Sequence, residues 1–118
     1  MGKRSHLIFF RHYYWDFFNS QTDKVKGKID YVLFLIAFSE RIPKKFFEQI
    51  TGSDGLYEIR IEFESNIFRV FCCFDQGNII ALFNGFQKKT QKTPQSEIEK
   101  AMRIKNEYFE YKKKGNEK

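Results

Sequence analysis

One segment of this chain contains most of the residue types that are suited to chemistry. In this segment an apolar strand pattern is followed directly by basic and amide side chains. Lys88, Lys89 and Lys92 supply positive charge, while Asn84 and Phe86 supply a hydrogen-bonding amide and an aromatic ring. Cations and donors beside an aromatic ring suit a polyanion such as RNA, because phosphates attract the charge and bases stack on the ring. The alternative, on composition alone, is a solvated basic turn.

Two arginines precede this segment at predicted strand positions whose neighbours are mostly apolar or aromatic. Arg60 and Arg69 would each lose hydration there, so each needs a partner. One explanation is an ion pair across strands, with Arg69 facing Glu62 or Glu58. The other is a guanidinium held on a rigid strand to bind a phosphate and to stabilise charge in a phosphorane-like transition state. The residues leave both explanations open.

Other site chemistries lack the residues they need. His6 and His12 flank the first predicted strand without metal-ligand spacing, so we expect structural or surface roles and no metal or cofactor. Cys72 and Cys73 are adjacent in a strand pattern, where neighbouring side chains point to opposite faces. A disulfide between them would be strained, and two buried thiols are expected instead.

Composition and charge limit the classes of protein to which this chain can belong. A chain of 118 residues predicts one domain, residues 1–118, with one core. The formal charge of +6 favours an acidic partner, which includes nucleic acid, an anionic protein surface or a membrane surface. No apolar run approaches membrane-spanning length, and no cleavable apolar segment follows Met1–Arg4. We therefore expect a cytoplasmic location. A duplex-DNA regulator is disfavoured, since no recognition helix carries a clustered basic face.

Hydrophobic spacing and turn residues predict a compact α+β domain. Its parts are a short N-terminal strand, N-terminal helices, a three-strand antiparallel meander and a C-terminal helix. The expected strands are residues 6–10, 56–63, 67–74 and 79–86, and the expected helices are residues 13–18, 24–40 after an N-cap at 22–23, one or two turns in 44–50, and 94–111 capped by Thr93. Residues 112–118 are expected to form a frayed, charged tail.

The helix predicted for residues 24–40 is apolar around more than one face. Phe34, Leu35 and Phe38 lie outside the main apolar stripe. A helix of this kind is either central to the core or holds a partner. We expect the core for these side chains.

Three segments in a fixed order carry a family resemblance: residues 54–60, residues 67–70 and residues 84–94. Together they resemble the RelE/HigB superfamily, and more narrowly the HigB-type, phage-derived branch of type II toxin–antitoxin toxins, over about residues 7–109. The resemblance implies a small RelE-like fold, with a twisted antiparallel sheet and helices packed on one side.

The same resemblance implies a metal-independent endoribonuclease that enters the ribosomal A site and cuts mRNA there. It also implies a cognate helix-turn-helix antitoxin as partner. Carried over residue by residue, Arg69 matches the arginine that the family uses at the scissile phosphate, and Arg60 matches the arginine closing the preceding strand. Lys88 and Lys89 match the basic pair after the Gly-Phe dipeptide, and Phe86 matches its aromatic residue.

The implied reaction is attack by a ribose 2′-OH on the adjacent phosphate, which leaves a cyclic phosphate and a 5′-OH. We assign stabilisation of the charge on the phosphate to Arg60 and Arg69. We assign proton transfer, or stabilisation of the charge on the leaving group, to Lys88. We assign binding of the RNA backbone to Lys89 and Lys92.

The chain departs from better-defined relatives in two respects. No histidine lies at the C-terminal edge of the predicted sheet to act as an acid or base. For the C-terminal catalytic tyrosine of some members, the candidates here are Tyr108 and Tyr111. The alternative function is therefore a non-catalytic module, an inactivated toxin homologue that binds RNA or a partner.

Overall fold

A computed structural model of the protein describes residues 5–116, which form an α+β fold of three helices around a five-stranded sheet. In chain order the elements are β1 (His6–Phe9), α1 (Tyr13–Asn19), α2 (Asp23–Phe38), β2 (Phe47–Gln49), β3 (Tyr57–Phe63), β4 (Asn66–Phe74), β5 (Ile79–Lys88) and α3 (Gln95–Asn116). The predicted fold class and the meander of β3, β4 and β5 are confirmed.

The sheet has the strand order β1-β5-β4-β3-β2. The pairs from β2 to β5 are antiparallel, whereas β1 runs parallel to β5, with His6 opposite Ile79. The sheet is therefore mixed, and the expectation of a wholly antiparallel sheet is wrong for β1. Parallel pairing is possible because most of the chain, including α1 and α2, lies between these two strands and provides the crossover.

Helices cover both faces of the sheet, so the implied packing on one side is wrong. On one face, α1 and α2 pack against a cluster that includes Ile59, Val70 and Leu82. On the other face, α3 packs against Phe71 and Phe83. The physical reason is the sequence of β4 and β5, which are apolar on both faces and need cover on both.

Residues 47–49 form β2 rather than the helical turn expected there. Phe47 lies opposite Ile59 in the register with β3, and its side chain is buried. The open edge of β3 offers unpaired backbone groups, and pairing with them outweighs the weak local helical preference.

Helix α3 begins at Gln95 and continues to Asn116, so residues 112–116 of the expected frayed tail are helical. Lys112 Nζ donates to the buried carboxylate of Asp75 at 2.5 Å, as does Tyr108 Oη at 2.6 Å. These bonds fasten the last part of the helix to the sheet. The rest of the expected tail, residues 117–118, lies outside the described residues.

Several local predictions are confirmed. The Thr22 hydroxyl accepts a hydrogen bond from the Val25 N–H at 3.3 Å, which caps α2 as expected. Cys72 and Cys73 are buried free thiols in the clusters on opposite faces of the sheet. Burial raises the pKa of Cys73 to about 11, so this thiol is protonated and unreactive at neutral pH.

The outer face of α2 corrects one expectation. Phe34 is 57% exposed and Phe38 is 50% exposed, while Leu35 is half-buried. The core is already filled by the opposite stripe of this helix, which includes Ile29 and Val32. The two phenylalanines are therefore left at the surface.

No helix in residues 5–116 is long and apolar enough to cross a bilayer.

Candidate functional site

The sheet register brings four of the predicted site residues onto one face. Arg60 in β3 lies opposite Arg69 in β4, and Arg69 lies opposite Phe86 in β5. Two residues further along β5, Lys88 lies opposite Ile67 in the next row. Since side chains of one face recur every second residue, these residues project from the same side, the side that α3 covers further along the sheet.

The two arginines share one carboxylate. Arg60 Nε and Nη2 donate to Glu58 Oε1 at 3.2 and 3.1 Å, and its Nη2 also contacts Glu48. Arg69 Nη1 donates to the Phe68 carbonyl at 3.1 Å, and its Nε lies 3.5 Å from Glu58 Oε2. The ion pair of Arg69 with Glu58, one of the explanations left open by the sequence, is therefore present. It does not exclude phosphate binding by the same guanidinium.

Arg69 is a buried cation with spare hydrogen-bonding capacity. Its side chain is 7% exposed. Burial lowers its pKa, Glu58 acts in the opposite direction, and Arg60 lowers it further. The guanidinium nevertheless stays protonated, as arginine does in proteins. Among the described residues its Nε has no hydrogen-bond partner, because the contact with Glu58 is an ion pair without hydrogen-bond geometry. An unpaired buried donor costs about 1–3 kcal/mol, which an arriving anion can recover.

An irregularity in β5 positions Asn84. The register with β5 shifts between Val70 and Cys72, so Phe83 and Asn84 together oppose one residue of β4, as in a β-bulge. The Asn84 amide then donates to Glu97 Oε1 of α3 at 3.4 Å. Asn84 is buried, and within residues 5–116 its Oδ1 has no hydrogen-bond partner. Its carbonyl oxygen is therefore a second buried polar group with spare capacity.

The two residues after Asn84 face opposite sides of the sheet. Phe86 is half-buried and stacks on Phe71, with ring centroids 5.6 Å apart and planes 20° apart. One side of its ring is thus occupied. Gly85 faces α1, where an added Cβ would lie 2.5 Å from the Phe17 ring. Gly85 is therefore required for close packing behind the site.

The basic segment lies at the end of the sheet. Lys88 is the last residue of β5, and Lys89 and Lys92 are exposed in the connection to α3. Lys88 and Lys89 line a cavity of about 600 Å3 beside the turn between β3 and β4. Thr93, predicted to cap α3, donates through its hydroxyl to Glu58 Oε2 at 3.4 Å. The segment thus touches the arginine cluster through Thr93, while its lysines lie at the rim.

A second cavity, of about 450 Å3, opens beside the two arginines. Its lining comprises residues from α2, the α2–β2 connection, β3 and β4: Lys28, Lys45, Phe46, Arg60, Glu62 and Arg69. Lys28 and Lys45 were not among the predicted site residues. In the sequence Lys28 lies off the apolar stripe of its helix, but this position does not reveal what the lysine faces.

The geometry suits a phosphodiester group. Two guanidinium groups on neighbouring strands give planar, multiple donors at a fixed separation, and flexible lysines surround them. The carboxylate of Glu58 lies between them and is 7% exposed as a residue. Within residues 5–116 no three His, Cys, Asp or Glu side chains form a group that could hold a metal ion.

Residues 16–106 match the family model described as phage derived protein Gp49-like (DUF891). The match covers more than three quarters of the chain and includes both arginines and the basic segment. No curated protein matches the chain significantly.

Proposed function

The chain belongs to the Gp49-like family of phage-derived proteins, which is related to RelE/HigB-type toxins, and we propose on this premise that it is the toxin of a type II toxin–antitoxin system. Its proposed activity is HigB-type: ribosome-dependent endonucleolytic cleavage of mRNA in the A site. One domain, residues 1–118, carries this activity in the cytoplasm. The observation that supports it most is the direct opposition of Arg60 and Arg69 on one face of the sheet.

The arginines act on the scissile phosphate. When the 2′-OH attacks the adjacent phosphorus, negative charge builds up on the non-bridging oxygens before the bond to the 5′ oxygen breaks. Arg69 meets this charge with its guanidinium group, whose Nε has no hydrogen-bond partner among residues 5–116, and Arg60 meets it from the next strand. Because both guanidinium groups are held on rigid strands, little reorganisation is needed during the reaction. The products are a cyclic phosphate and a 5′-OH.

The other predicted residues hold the RNA around this phosphate. Lys88 follows in the next row of the same face and neutralises or protonates the leaving 5′ oxygen. Lys89 and Lys92 contact backbone phosphates at the rim. Phe86 stacks on a base with the part of its ring that Phe71 leaves open, and Asn84 accepts a hydrogen bond through Oδ1. Single-stranded mRNA is the suitable substrate, because its bases are free to stack.

The exposed face of α2 is the proposed antitoxin site. Tyr31, Phe34 and Phe38 recur at helical spacing and are each at least half exposed, with the rings of Phe34 and Phe38 4.7 Å apart. A continuous exposed aromatic surface of this kind is typical of a binding site. Lys24 and Lys28 extend the stripe, so the best match is an amphipathic antitoxin helix with acidic residues. Lys28 also lines the arginine cavity, so a bound antitoxin would lie beside it.

Expression of the protein without an antitoxin in bacteria tests the proposed function. We expect growth arrest and mRNA cut inside codons that occupy the A site. Arg69→Ala should restore growth and remove the cuts. Arg103→Ala, an exposed arginine of α3, is the matched control and should leave both unchanged.

The non-catalytic alternative predicts the opposite pattern. A binding module would leave mRNA intact, and any effect on growth would not require Arg69. Normal growth with well-expressed, folded wild-type protein would reject the endonuclease.

A further inference from the structure

We propose that Glu58 is the general base of the cleavage, the group that removes the proton from the attacking 2′-OH. This inference rests on the proposed function and assigns a residue to the removal of the 2′-OH proton. Glu58 is a buried carboxylate in the middle of β3, on the same face as Arg60 and Arg69. It lies in the interior of the arginine cluster rather than at its rim.

The two oxygens of Glu58 differ in how well they are satisfied. Oε1 accepts two hydrogen bonds from Arg60, at 3.2 and 3.1 Å. Oε2 has two longer contacts, with Thr93 Oγ1 at 3.4 Å and with Arg69 Nε at 3.5 Å. An ionised carboxylate offers about four acceptor positions. Oε1 is therefore the more firmly held oxygen, and Oε2, whose contacts are longer, is the oxygen that we assign to accept the proton.

The group beside Oε2 is the guanidinium group of Arg69. Arg69 Nε is a buried donor without a hydrogen-bond partner among residues 5–116, and it lies 3.5 Å from Oε2. A weakly held acceptor next to a donor without a hydrogen bond is complementary to a group that donates and accepts at neighbouring atoms. The 2′-OH and the 3′-phosphate of one nucleotide form such a group. The hydroxyl would donate to Glu58 while a phosphate oxygen accepts from Arg69.

The step balances with these residues alone. Oε2 takes the 2′-OH proton as the 2′ oxygen bonds to phosphorus. The bond between phosphorus and the 5′ oxygen then breaks, and this oxygen takes a proton from Lys88 or from water. Glu58 afterwards releases its proton to solvent. No oxidant, reductant or metal is consumed.

A structural role must be distinguished from this one, since Glu58 also holds the two arginines. Glu58→Gln keeps the shape and an acceptor oxygen but cannot take the proton. Single-turnover cleavage of A-site mRNA on purified ribosomes should slow by about 10²–10⁴-fold, the usual range for a lost general base. Binding to the ribosome complex should change less than threefold.

The choice of substituent supplies the reading that a structural role would not give. Glu58→Asp keeps a carboxylate that can take the proton but shortens the reach to Arg60 and Arg69, whereas Glu58→Gln keeps the length without the base. If Glu58 is the base, Glu58→Asp should therefore cleave faster than Glu58→Gln, by about tenfold or more. Glu48→Gln, the same change in the neighbouring carboxylate on Arg60, should cleave at about the wild-type rate.

The outcomes separate this inference from the proposed function. If Arg69→Ala abolishes cleavage while Glu58→Gln cleaves within tenfold of wild type or as fast as Glu58→Asp, Glu58 is not the base and the endonuclease stands. If wild type does not cleave, the proposed function fails first. Should Glu58→Gln not fold, Glu58→Asp decides, because it keeps a carboxylate. It should cleave more slowly than wild type but measurably, and no detectable cleavage by the folded Glu58→Asp protein would overturn the inference.

Discussion

Arg60 and Arg69 lie directly opposite each other on neighbouring antiparallel strands, and the carboxylate of Glu58 contacts both. Like charges in directly opposed positions destabilise a sheet. Glu58 offsets part of this repulsion, yet Arg69 Nε has no hydrogen-bond partner among the described residues. The pair therefore stabilises the fold less than the same positions filled by apolar residues would. This arrangement is poor for stability, and it supports the proposal that the two arginines bind a phosphate.

The exposed lysines should control RNA affinity through salt. If Lys89 and Lys92 each contact one phosphate, replacing both with alanine should reduce the slope of log Kobs against log salt concentration by about 1.4 for single-stranded RNA. Fluorescence anisotropy with a short RNA across a salt series measures this slope. Lys113 and Lys114, exposed near the end of α3, provide the control pair. An equal loss of slope in the control would show that the rim lysines have no special role.

Gly85 should be intolerant of a side chain. Gly85→Ala forces a Cβ against the buried Phe17 ring, so the free energy of unfolding should fall by about 1–3 kcal/mol. Gly27→Ala is the matched control, since nothing lies within 4 Å of the added Cβ in α2 and alanine favours a helix by about 0.5–1 kcal/mol. Urea unfolding of both variants is the measurement. Equal stability of the two variants would contradict the packing of α1 behind the site.

Asp75 should make stability depend on pH. Burial alone would raise its pKa, but hydrogen bonds from Lys112 and Tyr108 outweigh this and lower it. Because the folded pKa lies below the unfolded value, the unfolded chain binds more protons in acid. The stabilisation is present above the ordinary value of 3.8 and is lost as the pH falls through the folded pKa.

Asp75→Asn should therefore lower the free energy of unfolding by about 1–3 kcal/mol at pH 7, with a smaller difference from wild type at pH 3. Asp16→Asn, which alters the exposed pair with His12, should change it by less than 1 kcal/mol. Thermal unfolding at both pH values checks this. A constant difference between Asp75→Asn and wild type would reject the linkage.

Binding of the antitoxin should require the aromatic face of α2, whereas the toxic activity should not require it. The double variant Phe34→Ser, Phe38→Ser removes two exposed rings, so antitoxin affinity should fall at least tenfold while growth arrest persists. Titration calorimetry with the proposed cognate antitoxin measures the affinity. Tyr111→Ser, an exposed aromatic residue of α3, is the control. Unchanged affinity of the double variant would move the interface elsewhere.

The sequence predicted the meander and its two faces well, because alternation in β3 and the apolar runs of β4 and β5 are strong local signals. Ile59 and Ile61 are buried on one face, and Glu58 and Arg60 lie on the other, as the alternation indicates. Strand β2 was missed, since its three residues acquire their structure from the edge of β3. The parallel pairing of β1 depends on contacts far apart along the chain.

The site was predictable in its residue types and less so in its connections. The register that sets Arg60 opposite Arg69 follows from the turn at residues 64–65, whose geometry the sequence does not specify uniquely. Glu58 was recognised only as one of two partners for Arg69. Its contact with both arginines depends on side-chain positions, and the contribution of Lys28 depends on where α2 crosses the sheet.

The most direct test of the central claim is single-turnover cleavage of mRNA on reconstituted ribosomes, with mapping of the fragment ends. Wild type and Arg103→Ala should cut within the A-site codon at similar rates and leave a cyclic phosphate and a 5′-OH. Arg69→Ala should cut about 10²–10³-fold more slowly, and Arg69→Lys should recover only part of the rate, since lysine cannot supply the planar fork. Equal cleavage by Arg69→Ala and wild type would contradict the account.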